Sequence, residues 1–466
     1  MLSSRLITRE ANTMKVDHKR RWKMFVVVGA TVALVAGMAS MVPSAYAGGT
    51  IKVDDDKWIS LGMGIRTSFT SGEDRSASGG QWNNTFAIDN TRVYINGSIH
   101  KYVKFTFNTE CFNCSVGLGG VAQNNNATGG QFNGNSNMGL IDAIGKFEFS
   151  RTINFWVGRT LVPTERGELN GPFYHQVYDG FRTPFNQSDI SGGFGRGGAG
   201  AFGRDNGVVF FGKVDPGGTH VLYALSVFTG LQSSAGSAGI AGSSITGIGG
   251  PNQRSTLKYA GRLQWNLLAD EQANNPGYYT AGGYYGDYGD VLALAVSGEY
   301  QNQGVGSFAN PSPYKTFIAD ILYEKVLTDK GVFTFNAEYK RYWTQNLAAY
   351  GDADCFCMFN GTSFTTYALY LFPQEIGIGR FQPYARYTYI NSVYQDGGGQ
   401  DEYEGGLNYV ISGFNARLSA YWRHDSGNAG PRNGAGFTSS LNAAGTGLTP
   451  SSKHSDAFVA ALQLQY

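Results

Sequence analysis

Around residue 160 the chain enters a stretch dense in groups that could act on a charged solute. Arg159, Arg166, Arg182, Arg196 and Arg204 stand against Glu165, Glu168, Asp179, Asp189 and Asp205, among glycines and the aromatics Phe173, Tyr174, Tyr178, Phe181 and Phe185. Guanidinium groups lining a narrow aqueous path favour anions, whereas matched acids convert the same path into a transverse field. The pairs could instead pin the segment to a wall, since buried ion pairs are often structural. The residue types leave both readings open.

Four cysteines form two close pairs, Cys111 and Cys114 in C-F-N-C and Cys355 and Cys357 in C-F-C. In an oxidising compartment they read as disulfide candidates that stiffen loops. Four cysteines allow three connectivities, and sequence does not choose among them. Clustered thiolates can also hold Zn or Cu(I), but C-x-C is tighter than usual zinc spacing, and no metal site is assigned. Of the six histidines, His18 lies in the leader; His100, His175, His220, His424 and His454 scatter over strand ends and loops, where solvated positions are expected. Nothing groups a serine with a histidine as a hydrolase requires. Gly-rich stretches such as G-G-F-G-R-G-G lack the strand–turn–helix setting of a phosphate loop. The reading is therefore no enzyme and no cofactor.

The elements that must position these groups are strands. The chain closes on D-A-F-V-A-A-L-Q-L-Q-Y, with Phe458, Ala460, Leu462, Leu464 and Tyr466 on one face and Val459, Ala461, Gln463 and Gln465 on the other. A greasy face opposite a polar one suits a strand between lipid and a watery lumen. It also resembles the terminal signal read by the barrel assembly machinery, with Tyr466 as its last residue. At the other end Lys15, Lys19, Arg20, Arg21 and Lys23 precede an almost uncharged apolar run from Met24 to Val42 and then Ala45-Tyr46-Ala47. This is the layout of a secretory signal peptide cut after Ala47, so residues 1–47 are expected to be cleaved and 48–466 to form a single domain.

Composition agrees. Only 15% of residues are charged and 42% are hydrophobic, yet there are 66 Gly, 28 Tyr and 30 Phe. After Ala47 no apolar run approaches the ~20 residues of a spanning helix. Removing the leader, which is mostly basic, leaves a mildly acidic chain, which excludes a nucleic-acid binder. Outer-membrane lipid is the expected surrounding.

Alternating segments recur from residue 59 to 466 and give an all-β reading: a transmembrane antiparallel β-barrel of about 16 strands. Short connections alternate with long ones, as periplasmic turns alternate with external loops. The segment 268–290 breaks this parity, being long and Tyr/Gly-rich where a short turn is due. It is either an insertion or a miscounted strand pair. Lumen positions by this parity include Arg66, Arg92, Lys104, Arg386 and Arg417, interspersed with acids such as Glu110, Asp142, Glu148, Glu299, Asp320 and Glu404.

Three stretches, F-A-I-D-N-T-R-V-Y-I-N-G-S-I-H-K-Y-V-K-F-T-F-N-T-E (86–110), N-F-W-V-G-R-T-L-V-P-T-E-R (154–166) with G-R-D-N-G-V (203–208), and Q-P-Y-A-R-Y-T-Y (382–389) with G-G-L-N-Y (405–409), resemble the phosphate-selective porin O and P family. The resemblance implies an outer-membrane porin of about sixteen strands, a homotrimer, with the loop at about 160–204 folded inward as the constriction. Arg159, Glu165, Arg166, Asp179, Arg182, Arg196 and Arg204 are the expected constriction residues. No arginine ladder runs down one strand, which sets the chain apart from the family's name. The expected function is passive diffusion of small hydrophilic solutes or ions, anions among them. The alternative is a structural or docking barrel for an envelope partner, with 268–290 as the contact.

Overall fold

The computed structural model describes residues 48–73, 82–112, 137–180, 203–230, 251–252, 254–273, 275, 277–280, 284–343, 360–392, 400–425 and 455–466. Their strands are β1 (Gly49–Lys52), β2 (Trp58–Gly72), β3 (Asn83–His100), β4 (Val103–Phe112), β5 (Asn137–Glu148), β6 (Asn154–Leu161), β7 (Arg204–Val214), β8 (His220–Phe228) and β9 (Lys258–Asn266), then β10 (Val291–Gly306), β11 (Pro311–Val326), β12 (Val332–Trp343), β13 (Gly361–Leu371), β14 (Arg380–Ser392), β15 (Gln400–Ser412), β16 (Ala416–Asp425) and β17 (Ser455–Gln465). From β2 onward each pairs antiparallel with the next, and β17 pairs back on β2 from Ala457↔Gly72 to Gln465↔Gly64. The result is a closed 16-stranded barrel with no free edge, which satisfies every ladder without water. Residues 1–47, the expected leader, lie outside the described residues.

The seam has a feature the sequence did not reveal. Tyr466 exchanges two backbone hydrogen bonds with Met63, at 2.7 and 2.8 Å. β1 then continues on the same edge of β2, Gly49 opposite Leu61 and Lys52 opposite Trp58. Between them Gly48 has φ +133°, and a Cβ there would stand 2.1 Å from the Leu61 carbonyl oxygen. Only glycine fits this junction.

Alternation decides the faces. Along β17 Phe458, Ala460, Leu464 and Tyr466 are exposed while Ala457, Val459, Ala461, Gln463 and Gln465 are buried. Beside the short turns the outward face carries an aromatic girdle, including Phe147 stacked on Phe155 (centroids 4.7 Å), Phe155 near Phe210, and Phe381 near Tyr409. Such girdles mark the membrane interface. The connection between β10 and β11 is tight, the two strands pairing out to Gly306↔Pro311.

The lumen departs from the polar interior that alternation suggested. On β6–β9 the inward residues Trp156, Val209, Phe211, Leu222, Ala224, Phe228 and Ala260 form a buried apolar cluster with Leu161, Val162, Leu169 and Tyr278. Around Trp156 and Phe211, β6 to β8 are apolar on both faces, the pattern of a sheet covered on both sides, whereas β9 turns Lys258, Arg262, Gln264 and Asn266 inward. What covers them inside are two inward segments, residues 162–180 after β6 and the described residues of 267–290 after β9.

Candidate constriction and lumen wall

Residues 162–180 carry one short helix, α1 (Arg166–Asn170), and otherwise no ladder of their own. Apolar residues seat the segment: Val162 and Leu169 on the β6–β9 cluster, Val177 and Tyr178 on Tyr367, Leu369, Tyr384, Tyr421, Val459 and Ala461. A buried segment outside any sheet has carbonyls to satisfy, and the wall supplies the donors. Arg417 Nη1 donates to the His175 and Gln176 carbonyls, both at 2.7 Å. Arg386 donates to Gly180 (2.8 Å), Arg262 to Thr164 (2.7 Å), Gln463 to Phe173 (2.8 Å), Asn408 to Gln176 (2.8 Å), and Arg66 to Tyr178. Much of the lumen's positive charge is thus spent holding this backbone in place.

The remaining charges pair across elements. Arg166 reaches Asp320 (2.7 Å) on β11 and meets Glu271 with both terminal nitrogens (3.0 and 3.1 Å), while Arg262 grips Asp320 at 2.6 and 2.9 Å. All four side chains are 0% exposed. Burial alone would ease the proton off Arg166; Glu271 and Asp320 more than reverse this and hold its pKa well above the ordinary value. Glu165 accepts from Lys340 and from the Tyr342 hydroxyl (2.7 Å). Asp179 pairs with Arg423 (2.9 Å), and Arg204 with Asp142 (2.6 Å).

Of the expected constriction residues, Glu165, Arg166, Asp179 and Arg204 therefore lie inside the barrel in ion pairs. Arg159 is elsewhere: the register sets it beside Ala143 and Asn206, on the outward side of β6, opposite to Trp156 and Thr160. Its strand ends in the inward segment, but its own parity points away. Arg182 and Arg196 lie outside the described residues, as do Cys114, Cys355 and Cys357; of Cys111 only the backbone is described, paired with Met138. The expected wall residues all face inward. Arg92 pairs with Glu110, Arg386 with Glu402 (2.7 Å) and Glu404, and Lys104 with Glu148 (2.7 Å). Arg66 stacks over the Tyr178 ring, 3.9 Å from its centroid.

His175, expected at a solvated position, is buried in the inward segment. Its Nε2 lies 2.9 Å from the Gly167 carbonyl, so it carries the proton there and donates. Burial, reinforced by Arg66, Arg417 and Arg386 and only partly opposed by that hydrogen bond, pushes its pKa down to about 3.

The segment 267–290 is a true insertion, since the strand count holds on both sides of it. It folds into the lumen and meets 162–180. Tyr278 donates to the Leu161 carbonyl (2.5 Å) and packs 5.3 Å from Trp156; the Tyr284 hydroxyl accepts from Asn170 and Asn336, each at 3.0 Å; Thr280 donates to Asn170 (2.5 Å). Gly277 lies against the wall at φ +63°, where a Cβ would come 2.4 Å from the Trp156 ring. At the mouth Asp270 accepts from Lys213 (3.2 Å) and Arg151 (3.4 Å). The sequence signal was the broken parity together with the density of tyrosines.

No family model matches the sequence, and no curated protein matches it. Among solved structures the chain is similar to OmpF of Salmonella typhi in complex with daunomycin, with a TM-score of 0.51 and 10% identity over 90% of this chain and 100% of that one. It is similar also to an anion-selective porin from Comamonas acidovorans (TM-score 0.49, 11% identity, 88% and 99% covered) and to outer-membrane expressed OmpT of Vibrio cholerae (0.49, 9%, 90% and 100%). At such identity the likeness is one of fold. Closed barrel, apolar outer face and aromatic girdle together make the protein an outer-membrane β-barrel of porin-like architecture.

Proposed function

We propose that the protein is a porin-like channel through which small hydrophilic solutes or ions diffuse passively, narrowed at mid-barrel by residues 162–180 and, from the side of the short turns, by residues 267–290. The observation that carries this reading is the clamping of 162–180 by Arg66, Arg262, Arg386 and Arg417 from strands spread around the wall. A segment fixed to so many strands restricts the lumen at constant width rather than swinging in it. Paired charges of both signs favour a transverse field over a single-sign ring. The narrower likeness to the phosphate-selective porin O and P family rests on the quoted stretches alone, and anion preference is part of the proposal. So is a homotrimer, for which an apolar hollow on the outer face, lined by Phe69, Phe86, Leu418, Ala420, Ala460 and Leu462, offers a surface. Recognition of the Tyr466 strand by the assembly machinery belongs to the same reading. No catalytic role is proposed.

The rival docking reading loses its contact argument, because Tyr278 and Tyr284 turn into the barrel and are 0% exposed. The test is conductance in a planar bilayer with reversal potentials across a salt gradient, together with liposome swelling in small sugars and amino acids. Discrete ion conductance and swelling are expected. A folded, inserted barrel that passes neither ions nor solutes would overturn the channel reading in favour of the docking one.

A further inference from the structure

The outer face of the barrel is mainly apolar, as lipid requires, but one flank carries charge of a single sign. On β9–β13 the outward positions hold no acid among the described residues. Three of them are basic: Lys315 and Lys325 on β11, and Arg341 on β12. Lys325 stands at the end beside the short turns and pairs with Asp290. Lys315 lies at the other end of the same strand, with Phe317, Ala319, Ile321 and Tyr323 facing outward between the two lysines. That stretch, at ~3.4 Å per residue and a tilt of ~40°, rises about 26 Å, close to the height of the apolar band. The lysines therefore bracket the band, and Lys315 sits at its external boundary.

Unlike Lys325, neither Lys315 nor Arg341 has a carboxylate partner among the described residues. Trp343 is the direct cross-strand partner of Lys315. The Arg341 guanidinium lies 5.4 Å from the centroid of the Trp343 ring. One indole is thus flanked by two cations. Arg341 is the diagonal neighbour of Lys315, a relation that sets Cβ atoms about 7–8 Å apart, so two long side chains can meet one small anion between them. A hollow beside them has Tyr300, Pro313, Lys315 and Trp343 in its lining. Tyr300 and Trp343 are each 43% exposed, and such rings, apolar in body and polar at the tip, belong at headgroup level.

Like charges side by side repel, and more strongly at a lipid boundary than in bulk water. The wall does not supply the missing counter-charge. The outward rows Tyr259–Tyr300–Lys315–Trp343 and Gly298–Phe317–Arg341–Thr362 contain no acid. What faces these rows is lipid. We infer that Lys315 and Arg341 hold a phosphate-monoester headgroup of an outer-leaflet lipid against the outside of β10–β12. A monoester carries about −1.5 to −2 at neutral pH, which matches two cations. Arg341 meets its oxygens with a planar fork and Lys315 as a point charge, while the acyl chains run down over Phe317, Ala319 and Tyr339. The site is eight strands from the β17–β2 seam in the closed sheet, away from the apolar hollow at Phe69 and Ala460. The inference rests on the barrel's place in the outer membrane and not on the channel reading.

The test is lipid binding to the folded barrel in detergent, read by native mass spectrometry. The probes are bisphosphorylated lipid A, the same glycolipid stripped of its phosphates, and phosphatidylglycerol, a phosphodiester. The parent should bind the first roughly tenfold or more tightly than the second, as charge-assisted contacts to phosphate would give, and more tightly than the third. Lys315→Gln and Arg341→Gln should each weaken binding of the first severalfold, and more when combined, while leaving the stripped lipid as it was. Lys101→Gln, which removes an exposed lysine beside a short turn, should change nothing. Heat-modifiable migration on a gel checks the fold of each variant, and two single variants guard against the loss of one. Equal binding of the phosphorylated and stripped lipids, or an unchanged affinity in the double variant, overturns the site and leaves two side chains that merely reach for water. Phosphatidylglycerol bound as tightly as lipid A overturns the monoester. Displacement of lipid A by an equal concentration of inorganic phosphate overturns the lipid as occupant.

Discussion

Replacing Glu271 by Gln should undock the segment 267–290 without unfolding the barrel. In the parent, two arginines and two acids balance at the junction of 162–180, 267–290 and the wall, all out of contact with solvent. At the observed 3.0–3.1 Å and an effective permittivity of 20, one such pair is worth about 5 kcal/mol before desolvation. Removing one partner of a buried pair costs about 3–5 kcal/mol, because the other charge stays buried and uncompensated. In Glu271→Gln, Asp320 alone would face Arg166 and Arg262. The ladder from β2 to β17 does not involve Glu271, so the loss falls on docking. A loss of that size predicts amide exchange in 267–290 faster by roughly a hundredfold to several thousandfold, with unchanged heat-modifiable migration and higher single-channel conductance. The double change Arg166→Met with Glu271→Met removes both charges and leaves Arg262 on Asp320. It should recover most of the docking, since a buried pair replaced by apolar groups is close to neutral. Parent-like exchange in Glu271→Gln, or a double variant no better docked than the single one, would refute the reasoning.

Three further outcomes follow from named contacts. His175 titrates near 3 in the folded chain against an ordinary 6.5, so below pH 6.5 the unfolded chain takes up a proton the folded chain refuses. Stability falls by about 1.4 kcal/mol per pH unit from 6.5 toward 3 on this account, and His175→Gln should remove that increment from the pH dependence of the urea midpoint; parallel curves for parent and variant would contradict it. Gly277→Ala must place a methyl against Trp156 at a positive φ, at a cost of about 1–3 kcal/mol for overpacking, and limited proteolysis should cut within 267–290 while sparing the barrel. Deleting Tyr466 removes two seam bonds to Met63 and the last outward aromatic, and should lower the yield of heat-modifiable barrel; an unchanged yield would show that Gln465 suffices as the end of the strand.

What the sequence disclosed and what it withheld divide along a physical line. Period-two alternation is a local property, and a lipid-facing wall imposes it on every strand, so the sixteen barrel strands could be counted and their lumen faces assigned. Lys104, Arg386 and Arg417 were placed inward by parity alone. The same rule misplaces Arg159 if its neighbourhood is used instead of its register, because the inward segment begins only three residues later. What fills the lumen is not periodic. Residues 162–180 and 267–290 are held by carbonyls that accept from Arg417 or Arg262 and by pairs such as Arg166–Glu271, between 98 and 242 residues apart. No local pattern encodes such contacts. Their trace in the sequence was indirect: strands apolar on both faces around Trp156 and Phe211, which lipid on one side alone does not require. The inner face of β6–β8 had to be covered by protein, and the only long connection on the side of the short turns was 268–290. Taken together, the two-sided apolar strands and the misplaced long connection imply an inward plug from that side before any coordinate is known.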